Sequence, residues 1–390
     1  MNQDAGPTPP EAPRTGLART LLYAVLPVLV LLVLLESVAR VVELWAPPAT
    51  VDLGQGFTAA SRLFVPAPDA PDCLVTNPDK VVSFQEQRFL RDKPPDTLRA
   101  FFLGGSSVNY LDYELPRLEE RLAKRFDAVD RVEIINCGGL SYGSHRLVLI
   151  AREVLGYGAD LLLVYSGHNE FEELEQLDLA NLQTLGLQRA LSRSALYRFV
   201  RDRLAARRID ALREARNRRI LEQALPDTAR TWRHEFTGEE KHERMDAYRR
   251  NLETIVTLCR ERGAGVILGT VPSNLFRPGL PGAAGARYER EVLSRFAQGK
   301  YEEGRRIAQE ILQDNPRHQA SDRENRILRN LAETHDVPLA DVEEAVSKAE
   351  PHGIPGETLF NDHCHLNPAG NRILAEVFER EILGWAGRNR

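Results

Sequence analysis

Four short stretches of the 390-residue chain carry residue types that can make and break ester bonds. Gly104-Gly105-Ser106-Ser107 offers a hydroxyl on a turn that two glycines allow to be sharp. Asn136-Cys137-Gly138-Gly139 offers backbone amides in a second glycine turn, and Ser166-Gly167-His168-Asn169-Glu170 a side-chain carboxamide. Asn361-Asp362-His363-Cys364-His365 places an imidazole three residues after a carboxylate. Nucleophilic catalysis needs a hydroxyl, a base to take its proton and a group to orient that base. It also needs donors aimed at the developing oxyanion. Ser106, His365 and Asp362 supply the first three, and the Ser106 and Gly138 amides with the Asn169 carboxamide supply the last. The chain order Ser, Asp, His is permissible, because triads are defined by roles. Gly104 to Val108 lacks the second glycine of a Gly-x-Ser-x-Gly elbow, so an α/β-hydrolase elbow is not indicated at Ser106.

These stretches must meet, and the intervening pattern provides the means. Short apolar runs at Leu98–Leu103, Val132–Asn136, Leu161–Tyr165, Val266–Thr270 and Val337–Ala340 alternate with amphipathic segments near 113–126, 144–156, 246–262 and 286–335. A last helix is expected from about Pro368 to Trp385, with Asn367 as its cap and Pro368 at its first position. Five apolar strands separated by helices predict a parallel sheet covered on both faces. Ligands of such sheets sit beyond the carboxyl ends of the strands, where the polar stretches fall.

The N-terminal part follows other rules. Leu21–Leu35 is an apolar run of fifteen residues, about 22 Å as helix against a ~30 Å hydrocarbon core. Apolar flanks from Leu17 to Leu44 close the gap, while Arg19, Glu36 and Arg40 can snorkel and Trp45 sits at an interfacial position. An uncleaved signal anchor is the reading, against a signal peptide cut after Ser37-Val38-Ala39. Arg14 and Arg19 place the N-terminus inside, so the remainder faces the periplasm of a bacterium from its inner membrane.

Composition narrows the classes further. With 51 basic against 56 acidic side chains the net charge is -5, which argues against a nucleic-acid partner. Four cysteines without a C-x-x-C pattern make neither a disulfide scaffold nor a zinc motif. Two insertions interrupt the alternation, at about 172–245 and 286–320. Residues 189–219 of the first hold eleven arginines against three acidic residues, a solvated face or a surface for anionic lipid or polymer. Gly299–His318 of the second resembles one tetratricopeptide helix pair, packing filler or a protein-binding groove.

The strings Gly104–Ser107, Ile135–Gly139, Ser166–Glu170 and Asp362–His365, in this order, resemble the blocks of the SGNH (GDSL-type) hydrolase superfamily, in a bacterial membrane-anchored form. That resemblance implies a flavodoxin-like three-layer α/β/α domain and acyl-ester hydrolysis or acyl transfer, with no metal or cofactor. It implies Ser106 as nucleophile, His365 as base, Asp362 as its orienter, and Ser106, Gly138 and Asn169 as the oxyanion hole. Gly105 and Glu170 stand where the family strings carry aspartates. The expected organisation is a cytoplasmic tail (1–16), a spanning anchor (17–45), a linker and lead-in (46–95) and the hydrolase-like domain (96–390). A serine esterase or O-acyltransferase acting on acetyl or other acyl esters of envelope glycans or lipids is the expected function. The competing one is a non-catalytic anchored scaffold that binds through its helical inserts. Two local alternatives stand beside it: zinc ligation by the Asp362–His365 loop, and a Cys137–Cys364 disulfide across the site.

Overall fold

Apolar strands that are buried on both faces must be sandwiched between helices, and the computed structural model of the chain has that form. It describes residues 17–45, 62–81, 83–126, 130–177, 191, 193–206, 235–280 and 282–389. These fall into two compact units, one drawn from residues 1–49 and 183–210 and one from residues 50–182 and 211–390.

Residues 62–95, expected as linker and lead-in, include the antiparallel strands β1 (Phe64–Ala67), β2 (Ala70–Thr76) and β3 (Arg88–Leu90). Leu63, Phe64, Leu74, Phe84 and Phe89 bury themselves in the main core, and Phe89 meets Phe101 edge to face at 5.7 Å. The strands are short and broken by proline, which hid them.

The main sheet comprises β4 (Thr97–Gly104), β5 (Arg131–Gly138), β6 (Leu161–Tyr165), β7 (Gly265–Gly269) and β8 (Leu339–Ala340), in the order β5-β4-β6-β7-β8 and parallel throughout. That is the flavodoxin-like order, with its switch point beside β4. Leu98, Ala100 and Phe102 point to a layer built by helices Leu115–Ala123, Val342–Ala349 and Pro368–Asn389. Phe101 and Leu103 point to helices Ser144–Val154, Gly238–Glu261 and Asp322–His335. β8 is shorter than the expected Val337–Ala340 run because Pro338 has no N–H to give the ladder, although its carbonyl accepts from Leu268 at 3.1 Å.

In the second insertion the helical stretches Gly282–Tyr288, Glu289–Leu293 and Ser294–Ala297 precede helix Tyr301–Asp314. Tyr288, Val292, Phe296, Ile307, Ile311 and others give this hairpin a small core of its own. Of the first insertion, the larger unit describes helix Glu170–Leu177 and the start of helix Gly238–Glu261.

The smaller unit pairs helix Leu17–Glu43 with helix Ala195–Ala206. Its segment Val25–Glu43 has a mean hydropathy of 2.4 and is long and apolar enough to cross a membrane. Residues 1–16, 46–61 and 178–190 lie outside the described residues. So do Arg189, Arg207, Arg208, Arg213, Arg216, Arg218 and Arg219 of the arginine-rich segment.

Candidate active site

Ser106 opens the short helix Ser106–Asn109 directly after β4, and the chain can turn there because no side chain intervenes. A Cβ on Gly105 would stand 2.1 Å from Asn169 Nδ2, so an aspartate here, as in the strings this stretch resembles, would have to displace the Asn169 carboxamide. Helix Ser106–Asn109 is tied down from below. Asn136 Nδ2 donates to the Val108 and Asn109 carbonyls at 3.0 and 3.2 Å, and Asn109 Nδ2 returns a bond to the Gly138 carbonyl at 2.9 Å.

The C-terminal loop arrives opposite. Ser106 Oγ lies 2.7 Å from His365 Nε2, and His365 Nδ1 lies 2.6 Å from Asp362 Oδ2. With the Nδ1–H given to Asp362, Nε2 is left as an acceptor for the serine proton. Asp362 Oδ1 accepts from the Cys364 and His365 amides at 2.9 and 2.8 Å, which fixes the carboxylate against the ring. Asn274 steadies the loop, its Nδ2 on the Asp362 carbonyl at 2.8 Å and its amide on the His363 carbonyl at 3.0 Å. Asn367 Oδ1 accepts from Ala369 and Gly370, capping the last helix where the loop ends.

Of the three groups expected to face an oxyanion, one is already engaged. Asn169 Nδ2 donates to the Tyr142 carbonyl at 3.2 Å and lies against Gly105, next to Ser106. The Ser106 amide, at a helix start, has no acceptor among the described residues. The Gly138 amide does: it donates to Asn136 Oδ1 at 2.9 Å. Gly138 is a glycine for packing, since a Cβ there would stand 2.2 Å from the Asn109 nitrogen. The amide of that loop without an acceptor among the described residues belongs to Ser141, held at φ 62°. Arg146 grips the Ser141 carbonyl at 2.5 Å, and Glu173 caps the following helix through the Gly143, His145 and Arg146 amides.

Glu170, in place of the family aspartate, is fully buried and takes the Ser144 amide and hydroxyl at 2.8 Å together with Arg244. Glu170, Glu173, Arg146 and Arg244 thus form one buried charge network under the Asn169 turn. Sequence reading missed it, because the arginines come from two separate helices. His168, one residue before Asn169, is buried and accepts from the Ala320 amide at 3.1 Å. Burial, then the neighbouring His365 and His363, push its pKa down to about 3, so it is neutral.

Electrostatics at the pair are strong. Burial disfavours a charge on both partners, but the His365 hydrogen bond and charge hold the Asp362 carboxyl well below the usual range. For His365 burial is outweighed by the adjoining Cys364 sulfur and then Asp362, which raise the imidazole to about 10. Cys364 Sγ lies 3.6 Å from His365 Nδ1, and its own pKa is lowered: burial opposes the thiolate, but His363 and His365 outweigh it. A base works in its neutral form, so kcat/KM should keep rising with pH above the ordinary histidine value of 6.5. In Cys364→Ala that limb should move to lower pH, which a pH–rate series on both proteins measures. An unmoved limb would deny Cys364 this influence.

The alternatives can be weighed on the same geometry. Asp362, Cys364 and His365 place ligand atoms within 4.8 Å of one another. However, both ring nitrogens of His365 already face Asp362 and Ser106 at hydrogen-bond distance, so the loop does not fit a zinc ion. All four cysteines, Cys137 and Cys364 included, are free thiols. Gly139-Leu140-Ser141-Tyr142-Gly143 is a Gly-x-Ser-x-Gly string, yet the Ser141 hydroxyl donates to Glu172 at 2.7 Å rather than to an imidazole. Beside Ser106, the residues Tyr110, Tyr113, Asn361, Asp362, His365 and Asn371 line most of a cleft of about 220 Å³, with the Tyr110 ring 5.1 Å from that of His365.

No family model and no curated protein matches the chain. Among solved structures, an acetyl xylan esterase is similar at 14% identity and a TM-score of 0.40, over 72% of this chain and 98% of its own. A GDSL-like lipase from Bacteroides thetaiotaomicron is similar at 12% identity and a TM-score of 0.38, over 76% and 92%. An acetylxylan esterase from Geobacillus stearothermophilus, solved as a catalytic mutant, gives 15% and 0.40 over 73% and 94%.

Proposed function

We propose that the protein is a membrane-anchored serine esterase or O-acyltransferase that acts on acyl esters, acetyl esters of envelope glycans or lipids foremost. The observation that carries this is the continuous run from Ser106 Oγ through His365 to Asp362, with links of 2.7 and 2.6 Å. Ser106 attacks the ester carbonyl while its proton passes to His365 Nε2. The negative oxygen of the tetrahedral intermediate is met by the Ser106 and Ser141 amides and the Asn169 carboxamide. Collapse breaks the bond to the alcohol, which leaves with the proton from His365, and the acyl group stays on Ser106. Water then releases it as a carboxylic acid, or a sugar hydroxyl takes it as a new ester. The helix Leu17–Glu43, with its hydropathy of 2.4 over Val25–Glu43, supports the anchoring, and Arg14 and Arg19, which precede its apolar run, support a periplasmic catalytic domain.

Turnover of p-nitrophenyl acetate by the detergent-solubilised full chain tests the reading, with product analysis in the presence of oligosaccharide separating hydrolysis from transfer. No turnover by the wild type of this or longer acyl esters would count against it. Asn169→Ala should keep its fold and lose about 10²–10³-fold in kcat, the usual effect of removing one oxyanion donor. Full activity in that variant would remove Asn169 from the oxyanion hole.

A further inference from the structure

Helix Leu17–Glu43 carries a carboxylate immediately after its apolar run, at Glu36, and the smaller unit accounts for it. Glu36 accepts from the Ala195 and Leu196 amides at 3.0 Å each and from the Ser194 hydroxyl at 2.6 Å. It therefore serves as the N-terminal cap of helix Ala195–Ala206, the end of a helix where a negative group is favoured. Two turns further on, Glu43 pairs with Arg198 at 2.6 Å, and Arg40 donates to the Arg193 carbonyl at 3.3 Å. Helix Ala195–Ala206 is thus fixed along the last turns of the apolar helix by polar bonds at both ends of its first turn.

A carboxylate is costly in hydrocarbon, so Glu36 marks the level at which the anchor leaves the acyl chains. The docked segment has a composition suited to that level. Ala195 is buried against the anchor, whereas Leu191, Phe199 and Val200 are 40%, 38% and 49% exposed. Val200 follows the half-buried Leu196 by four residues, while Phe199, four after Ala195, stands at the border between the anchor-facing side and the exposed one. Arg193 is exposed beside them, and the surrounding sequence is strongly basic. Large, partly exposed apolar side chains on a basic helix are the features of one that lies in the headgroup layer.

We infer that helix Ala195–Ala206 is an interfacial helix seated on a bilayer containing anionic phospholipid, with Glu36 and Glu43 of the apolar helix setting its depth. The inference rests on reading helix Leu17–Glu43 as the membrane anchor. Charge complementarity selects anionic lipid as the occupant of the exposed face, and continuity with the apolar helix selects a bilayer over a soluble partner.

The test uses the full chain reconstituted in vesicles of phosphatidylglycerol and phosphatidylcholine brominated on the acyl chains. Fluorescence is read from Phe199→Trp and from Leu29→Trp, each relative to the wild type with its own tryptophans. Both added tryptophans should be quenched. Replacing phosphatidylglycerol by phosphatidylcholine should reduce quenching at 199 and leave it unchanged at 29. Adding Glu36→Gln to Phe199→Trp should also reduce quenching at 199. Quenching at 29 without quenching at 199 overturns the interfacial helix while the anchor stands. Absence of quenching at both positions overturns the anchor and the inference with it. Equal quenching at 199 in vesicles lacking phosphatidylglycerol overturns the preference for anionic lipid, and no effect of Glu36→Gln overturns its role in setting depth.

Discussion

Ser106→Ala is expected to lower kcat for an acyl ester by about 10⁴–10⁶-fold, the range seen when a triad nucleophile is removed. The size of the effect follows from the geometry. Ser106 Oγ is the hydroxyl hydrogen-bonded to His365 Nε2, and the amide of the same residue has no acceptor among the described residues. The Gly-x-Ser-x-Gly serine, Ser141, cannot stand in, because its hydroxyl is held by Glu172. The variant should fold normally, since Ser106 caps nothing and, among the described residues, its side chain bonds to His365 alone. Steady-state kinetics with p-nitrophenyl acetate would measure the loss. Activity within tenfold of the wild type would place the nucleophile elsewhere.

The second large effect is expected from Asp362→Asn, about 10⁴-fold in kcat. Asp362 accepts three hydrogen bonds, from His365 Nδ1 and from two amides of its own loop. An asparagine can keep the two amides on its oxygen. Its nitrogen then faces His365 Nδ1 and, being a donor, favours the tautomer that carries the proton on Nε2. That ring cannot accept the serine proton. The alkaline rise in kcat/KM should weaken too, because a contributor to the raised His365 pKa is lost. Retained thermal stability with collapsed kcat would separate this chemical effect from a fold defect.

The sheet was legible because its strands obey a simple rule. Leu161–Tyr165 is buried at every position, and a strand covered on both faces must be apolar throughout. The same rule hid β1 to β3, whose faces alternate and whose residues include Pro66 and Pro71. Among the candidate site residues, Ser106, Asp362, His365 and Asn169 could be picked out because each is a reactive side chain at a strand end or helix start. Gly138 satisfies the same rule, yet its amide is engaged for a reason that no string contains. A backbone amide is a donor only if nothing else uses it, and Asn136, two residues earlier, does. The signal available for Ser141 is faint: a small residue before Tyr142-Gly143, in a turn whose positive φ only the coordinates reveal. The buried Glu170–Arg244 and Glu173–Arg146 contacts were invisible for a different reason, as they depend on how helices Ser144–Val154 and Gly238–Glu261 pack together.

Covalent trapping tests the central claim most directly. The full chain, treated with a fluorophosphonate and digested, is analysed by mass spectrometry to locate the adduct. A single modification on Ser106, absent from Ser106→Ala and slowed when His365 is replaced by alanine, is the predicted result. An adduct on any other serine, or equal labelling of Ser106→Ala, would contradict it.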